Sequence, residues 1–403
     1  MISRLVSRCR PGDRESGQAS MVTVAMFMML FAAIAVSFTF VVISASRQAL
    51  NDSLQSSAKI AAESGVEDAK RLIVYCYNKR SGDSYTTPDA QQLCPKVIGK
   101  LSTDLEDTGC DEILEKMYKK GISDVEQEGS RGYRVRVGNN GGGDNENNEY
   151  YQCLKIATKT DNYQGVVNNL GKSVIVPLRV VDKYNQAAVI DRLEIEWHRN
   201  VTGNDGDNPA DMNGANGTGL PPAGTWNNSN RPAVLRVERV GVPKNNFTLD
   251  SLADDDTALT LRPSVKKNVS NYRLGDYKPQ YPFNDRDKIA PNSQYYDQHG
   301  NKIAPIVEAT CKNNNGEYAC KTIFDQESLY TDKTYYLRIN AIYRSTHFKI
   351  TAYQGKNKLY FDGVQPLVDV TGRSSDSFSR IQARLKPSFD KNADSTNWWP
   401  EYV

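Results

Sequence analysis

Residues 21–43 read MVTVAMFMMLFAAIAVSFTFVVI, an uninterrupted apolar run of 23 residues. No charged residue occurs between Glu15 and Arg47. A helix needs about 20 apolar residues to cross the hydrocarbon core of a bilayer, whereas the apolar region of a cleaved signal peptide has about 7 to 15. The length of the run therefore predicts one membrane span, from Met21 to Ile43.

The charges before this run predict its orientation. The arginines that precede it are opposed only by Asp13 and Glu15. Because basic residues stay on the cytoplasmic side of a membrane, the short N-terminus lies inside the cell and everything after Arg47 is exported. The alternative is a cleaved signal peptide, since residues 44–46, Ser-Ala-Ser, form the small-x-small pattern that a signal peptidase accepts.

The helix is predicted to continue beyond the membrane. No proline occurs between Pro11 and Pro88, and no glycine between Gly17 and Gly65, so nothing in the sequence breaks it. A helix over residues 19–75 is about 85 Å long at about 1.5 Å per residue. A coiled-coil stalk is the alternative, but it would have larger a and d side chains. Small and apolar residues instead mark a face that needs a globular head to cover it: Leu50, Leu54, Ala58, Ala61, Gly65, Ala69 and Leu72.

The composition suits an exported and mostly globular remainder. The chain has 403 residues, of which 39% are hydrophobic and 24% charged, and its mean hydropathy is −0.59. This length allows two or three domains. The formal net charge of +2 gives no electrostatic argument for binding nucleic acid or an anionic surface with the chain as a whole.

Three separate stretches carry a resemblance to a known family. A short basic leader ends in Gly17 and is followed directly by the uncharged helix; residues 61–71 read AAESGVEDAKR, and residues 369–385 read DVTGRSSDSFSRIQARL. The leader and helix resemble the type IV pilin and pseudopilin class. The second stretch is similar to a segment of PilX-type minor pilins, and the third resembles the closing strands of such pilins. The middle of the chain lies outside this resemblance.

The resemblance implies how the chain is processed and where it goes. Residues 1–17 would be a cytoplasmic leader, which a prepilin peptidase removes by cutting between Gly17 and Gln18. Residues 18–77 would form the assembly helix. The implied partners are this peptidase, the membrane before assembly, and other pilin subunits that contact the helix. The precursor would span the cytoplasmic membrane once, with its head outside, and then enter an extracellular pilus.

The fifth mature position departs from the pattern of the major pilins. Those subunits usually carry a glutamate there, which neutralises the N-terminal amine of a neighbouring subunit, whereas this chain has Val22. A buried ammonium without a partner is costly, so recruitment behind an existing subunit is less favourable. The K-type tip pseudopilin of type II secretion systems and many PilX-type pilins also lack this glutamate. Together with the bulky exported part, Val22 favours a minor subunit that is tip-proximal or primes assembly.

The cysteines support export. Cys9 lies in the leader, and the remaining six are an even set, as in extracellular disulfide-bonded proteins: Cys76, Cys94, Cys110, Cys153, Cys311 and Cys320. The last two flank KNNNGEYA, whose Asn-Asn-Gly turn predicts a disulfide across a hairpin. The first four allow three pairings, among which short separations favour the first with the second and the third with the fourth. Zinc is the alternative, but C-x-x-C spacing is absent and no histidine is near these cysteines in sequence.

Past the helix, the chain reads as β-rich in two parts. Residues 78–200 form the first part, with a short helix over Asp104–Lys119, and residues 233–403 form the second. Residues 201–232 have few apolar side chains and separate the parts as a linker or a long loop. Alternating segments predict strands that begin at Tyr133, Tyr151, Ser173, Ala188, Ala233, Thr257, Thr334, His347 and Phe378.

The predicted fold class is α+β, with the long N-terminal helix and a large antiparallel β-rich head. Short strands separated by turn residues favour antiparallel pairing, because long helical crossovers are absent. The resemblance of the closing strands implies that the end of the chain returns to the N-terminal region. The head would then be pilin-like, with a β-sandwich-like insertion or second domain, and the sequence leaves open whether the halves are separate domains or one extended sheet.

The sequence shows no catalytic motif and only a loose metal-binding pattern. Phosphate loops, nucleophile elbows and H-E-x-x-H are absent, so no enzyme is expected. Asp205–Asp211 and Asp144–Glu149 resemble oxygen-rich calcium loops, but they lack the full ligand spacing. Solvated loops are therefore favoured, with bound calcium as the alternative and no other cofactor expected.

One basic and aromatic patch is a candidate ligand surface. It lies within Leu261–Lys288, and basic residues interleaved with aromatic ones bind single-stranded DNA, glycans or other host-surface groups by charge and stacking. The alternative is a surface loop whose tyrosines lie on the adjoining sheet. The candidate residues are Lys266, Lys267, Tyr272, Arg273, Tyr277, Lys278 and Tyr281.

Three functions are compatible with these features. The first is a minor type IV pilin subunit whose helix joins a filament while its head caps, primes or adheres. The second is a single-span surface protein that never polymerises and displays a β-rich binding domain. The third is a pseudopilin of a secretion or DNA-uptake machine, which the sequence does not separate from the first.

Overall fold

The fold is that of a computed structural model. It describes residues 16–81, 84–119, 125–129, 132–137, 149–168, 172–199, 226, 231–243, 258–264, 306–311, 317–325, 333–387 and 398–402. In these residues one long helix precedes a head made of two large, mainly antiparallel sheets. The α+β class predicted from the sequence is confirmed.

The long helix, α1, spans Ser16–Asn78 and has 63 residues. Its sequence contains no proline and few β-branched residues beyond the membrane run, so each turn keeps its backbone hydrogen bonds. Its first half is apolar enough to cross a membrane. The predicted continuous helix and its apolar half are therefore confirmed.

Among the described residues, two shorter helices and one 3-10 turn lie between α1 and the large sheets. Helix α2 spans Pro88–Val97, the 3-10 turn spans Ser102–Asp104, and α3 spans Glu112–Lys119. The hydroxyl of Thr87 caps α2 by accepting from the amide of Ala90 at 3.3 Å. The helix predicted over Asp104–Lys119 is shorter than expected, since its helical part begins only at Glu112, after Cys110, which is bonded to Cys153.

A seven-stranded sheet packs on the second half of α1. Its strand order is β19-β18-β17-β5-β4-β3, and β8 pairs with β17 beside this path. All of its strand pairs are antiparallel. A separate short hairpin consists of β1, Arg80–Ser81, and β2, Ser84–Tyr85. The strands of the sheet are β3 Val125–Gln127, β4 Tyr133–Arg136, β5 Glu149–Thr160, β8 Val180–Val181, β17 Tyr360–Ser374, β18 Ser377–Pro387 and β19 Trp398–Tyr402.

A ten-stranded sheet contains the remaining strands. Its order is β16-β15-β9-β13-β12-β11-β10-β14-β7, and β6 pairs with β15 beside this path. Among the described strands of this sheet, only β11 and β12 are parallel to each other. The strands are β6 Tyr163–Val167, β7 Val174–Pro177, β9 Arg192–Arg199, β10 Val234–Pro243, β11 Ala258–Ser264, β12 Ile306–Cys311, β13 Tyr318–Asp325, β14 Lys333–Ile342, β15 Thr346–Gln354 and β16 Asn357–Lys358.

The two sheets do not divide the chain at residues 201–232. Strand β9 precedes this segment but pairs with β13 and β15, which follow it. The seven-stranded sheet takes β3, β4, β5 and β8 from before the segment and β17 to β19 from near the end of the chain. The predicted parts 78–200 and 233–403 therefore do not follow the sheets, and all ten strands of the ten-stranded sheet lie between β5 and β17 in sequence.

The segment that begins at Ser173 was predicted as one strand but forms two. Val174–Pro177 joins the ten-stranded sheet as β7, whereas Val180–Val181 joins the seven-stranded sheet as β8. Pro177 has no amide hydrogen to continue the ladder, and the amide of Leu178 instead donates to the carbonyl of Tyr335 at 2.8 Å. The chain thus crosses between the sheets at Leu178 and Arg179, inside the segment SVIVPLRVV.

Each sheet has its own apolar core. The ten-stranded sheet follows the predicted alternation on β9, where Leu193, Ile195 and Trp197 are fully buried and Glu194 and Glu196 lie on the opposite face. The second core lies between α1 and the seven-stranded sheet. The long helix is therefore half exposed and half part of a packed domain.

Candidate assembly site

The first half of α1 presents a large apolar surface that the head does not cover. Every residue from 21 to 53 is exposed, including Phe31 at 67% and Phe40 at 70%. Val22 is 56% exposed. An uncovered apolar surface of this extent requires lipid or other apolar helices around it.

The second half of α1 docks on the seven-stranded sheet through very small residues. Ala58, Ala61, Ala62 and Ala69 are fully buried. Helix α1 lies against β5, β17 and β18. Because alanine side chains are short, the helix backbone comes close to the sheet along this face.

The closest approach is at Gly372 on β17. A Cβ atom at this position would collide with the carbonyl oxygen of Ala58 and with the amide nitrogen of Ala62. Gly65 on the helix is similarly enclosed, since a Cβ atom there would lie 2.5 Å from Cγ1 of Val370. Two glycines, one on each element, therefore fix how closely helix and sheet pack.

A hydrogen bond fixes the helix on the sheet next to these glycines. The hydroxyl of Tyr151, a fully buried residue of β5, donates to Oδ2 of Asp68 at 2.9 Å. Arg71 lies 3.6 Å from the other oxygen of this carboxylate. Gly65 and Asp68 both belong to the stretch AAESGVEDAKR, so the residues behind the family resemblance are those that dock the helix.

The end of α1 is joined to the small helices by a disulfide and ion pairs. Cys76 near the end of α1 is bonded to Cys94 of α2. Glu112 of α3 binds Lys96 and Lys100 on the α2 side. Partial burial alone would raise the pKa of Glu112, but the bonds from Lys100 and Lys96 outweigh this effect and hold the pKa below its usual range.

The other disulfides have the pairing that the sequence favoured. Cys110 is bonded to Cys153 and Cys311 to Cys320. Cys311 and Cys320 lie directly opposite each other on β12 and β13, as the predicted hairpin requires. All six exported cysteines are therefore paired, which fits an oxidising environment outside the cell.

A buried polar contact links the two sheets and was not predicted. Gln365 of β17 is fully buried; its Oε1 accepts from the amide of Gln164 at 2.9 Å, and its Nε2 donates to the carbonyl of Gln164 at 2.6 Å. Arg384 of β18 donates to the carbonyl of Asn162 at 3.0 Å. Single polar residues within apolar strands give no sequence signal for such a contact.

Most of the remaining predicted site residues lie outside the described part of the chain. Gly17 and Gln18 lie in the first turns of α1. The candidate ligand patch from Lys266 to Tyr281 lies outside the described residues, as do the candidate calcium loops except for Glu149. Within the described part of the chain, no group of three or more His, Cys, Asp or Glu side chains is arranged to hold a metal ion.

No family model, curated protein or solved structure matches this chain. Its function is therefore argued from its own geometry. That geometry combines an uncovered apolar helix, a tightly docked second half and a disulfide-bonded head.

Proposed function

We propose that this chain is a minor type IV pilin subunit, which takes a tip-proximal or priming position and uses its head to cap or adhere. The observation that carries the proposal is the division of α1 into two halves with different surroundings. Residues 21–53 are exposed throughout, whereas Ala62 to Cys76 form one side of a core. A helix of this kind is suited to leave the bilayer and pack among similar helices while its head stays folded.

The position within the filament is inferred from Val22. An apolar residue at the fifth mature position offers no carboxylate to the amine of a subunit ahead of it. A subunit at the tip has no such neighbour and needs no carboxylate. The large head, which contains two sheets, also favours a position where it is not repeated along the shaft.

N-terminal sequencing of the chain from its native host tests this proposal. We expect Gln18 as the first residue, and we expect a Gly17→Val variant to keep its leader because the peptidase cuts next to a glycine. Ser7→Ala, a change within the same leader, serves as the matched control and should be cut normally.

Two results would contradict the assembly role. Retention of Met1 in the wild-type chain would support a single-span surface protein that displays its head. A chain that begins after Ser46 would support a cleaved signal peptide. Finding the correctly cut protein in surface filaments would indicate a pilin. Finding it in a secretion or DNA-uptake machine would indicate a pseudopilin.

A further inference from the structure

A buried lysine amine contacts a side-chain amide where the chain crosses between the two sheets. Lys159, near the end of β5, is only 6% exposed, and its Nζ contacts Oδ1 of Asn185. Asn185 lies in the turn after β8, with a left-handed backbone φ of 68°. Because the amide carbon Cγ is bonded to Oδ1, the amine lies next to a carbon that it could attack.

A carboxylate completes this group. Asp362 of β17 lies directly opposite Lys159 of β5 in the antiparallel register, so the two side chains share one face of the sheet. Its Oδ2 accepts from Arg179 Nε at 3.1 Å and from Nη2 at 2.6 Å. Its Oδ1 is buried and has no hydrogen-bond partner among the described residues. That oxygen is therefore available to accept a proton from the reacting groups.

We infer that Lys159 and Asn185 form an intramolecular isopeptide bond, with Asp362 carrying the proton. The lone pair of the neutral amine attacks Cγ of Asn185, and a C–N bond forms. Asp362 accepts a proton from the attacking nitrogen and gives it to Nδ2, the Cγ–Nδ2 bond breaks, and one ammonia leaves. The reaction needs no oxidant, cofactor or second substrate.

The surroundings of Lys159 favour the neutral amine that this reaction needs. Burial lowers the pKa of Lys159, because desolvation disfavours the ammonium form. The positive charges of Arg80 and Arg179 lower it further, whereas the carboxylates of Asp362 and Asp182 act in the opposite direction. The net direction is downward, so a larger fraction of the amine is unprotonated than for an exposed lysine.

Tyr77 encloses the same region from the end of α1. Its hydroxyl lies against Gly363, where a Cβ atom would collide with it. Burial, and then the negative charge of Asp362, raise the pKa of Tyr77 to about 12. The hydroxyl therefore keeps its proton at neutral pH and adds no charge to this region.

The test is peptide mapping of the full-length protein, purified in detergent, reduced and digested with trypsin. In the wild type we expect residues 156–172 joined to residues 184–192, because trypsin does not cut after a modified Lys159. The joined product should be lighter than the sum of its two peptides by one ammonia. Fragment sequencing must locate the bond, since succinimide formation at an asparagine also releases ammonia.

Variants distinguish the roles of the residues. Lys159→Arg, confirmed as folded by circular dichroism, should lose the joined peptide completely. Lys155→Arg is the matched control and should keep it, because Lys155 of the same strand donates to the backbone carbonyl of Leu105 at 3.2 Å. Asp362→Asn should reduce the joined fraction at least tenfold in the folded protein.

Two outcomes would overturn the inference. Recovery of the two wild-type peptides only in separate form would show that no bond exists. An unchanged joined fraction in Asp362→Asn would show that this carboxylate does not carry the proton. Both outcomes are independent of whether the chain assembles into a filament, because the measurement is made on the isolated protein.

Discussion

Replacing Gly372 with alanine should loosen the docking of α1 on the head. The added Cβ atom would meet the backbone at Ala58 and Ala62. Backbone atoms of a helix cannot rotate away as a side-chain end can, so the whole helix segment must shift. The variant therefore tests the close approach of the helix backbone to the sheet at Gly372.

The expected cost follows from the residues that would be uncovered. If the helix moves off the sheet locally, the methyl groups of Ala58, Ala61 and Ala62, which are now fully buried, become exposed. At about 0.8 kcal/mol for each buried carbon, this loss is about 2.4 kcal/mol. If the helix stays in place, overpacking costs about 1–3 kcal/mol. We expect the free energy of unfolding to fall by about 2–3 kcal/mol, roughly a 30- to 150-fold change in the folding equilibrium.

Denaturant unfolding of the full-length protein in detergent, followed by circular dichroism, measures this change. Gly109→Ala is the matched control, because a Cβ atom there meets nothing within 4 Å. Adding Ala62→Gly to Gly372→Ala should not restore stability, since the obstructing atoms belong to the backbone. If Gly372→Ala is as stable as Gly109→Ala, the docking geometry described here is wrong.

Three further variants test the helix and its contacts. Gly65→Ala should destabilise the protein by about 1–3 kcal/mol by overpacking. Adding Val370→Ala should recover part of this loss in the same unfolding assay, because the obstructing atom is a side-chain methyl 2.5 Å away, and no recovery would refute this explanation. Because the pKa of Glu112 is lower in the folded protein, its contribution to stability is present above the pKa of the unfolded chain and is lost as the pH falls through the lowered folded value. Glu112→Gln should therefore weaken the acid dependence of stability below about pH 4.5, and an unchanged pH profile of unfolding would contradict the ion pairs. Val22→Glu should increase the amount of the subunit recovered in sheared filaments, because it supplies the missing carboxylate. Val24→Glu places a carboxylate elsewhere in the membrane run and should not increase this amount. Equal recovery of the two variants would contradict the role given to position 22.

The sequence predicted the features that depend on local patterns. The apolar run and the absence of proline were enough for α1, and strand alternation identified β9 and β15. The pairing of Cys311 with Cys320 followed from the turn between them. The Thr87–Pro88–Asp89 start of α2 carried a usable capping signal that the prediction missed.

Features that depend on distant residues were not predictable from the chain alone. Nothing local to Gly372 shows that two alanines of α1 will meet it. The split between β7 and β8 occurs inside one alternating segment, and the parallel pairing of β11 with β12 joins two strands that are far apart in sequence. The grouping of Lys159 with Asp362 likewise needs the register of two strands that are far apart in sequence.

The order of the strands under α1 has a consequence for how the protein is made. The helix is synthesised first, but two of the three strands against which it lies, β17 and β18, begin only at Tyr360 and Ser377. Nearly the whole chain must therefore be translocated before the small-residue face of α1 is covered. During synthesis this face has few native contacts, and a ribosome that stops before residue 360 would release a product whose helix lacks β17 and β18 to dock on.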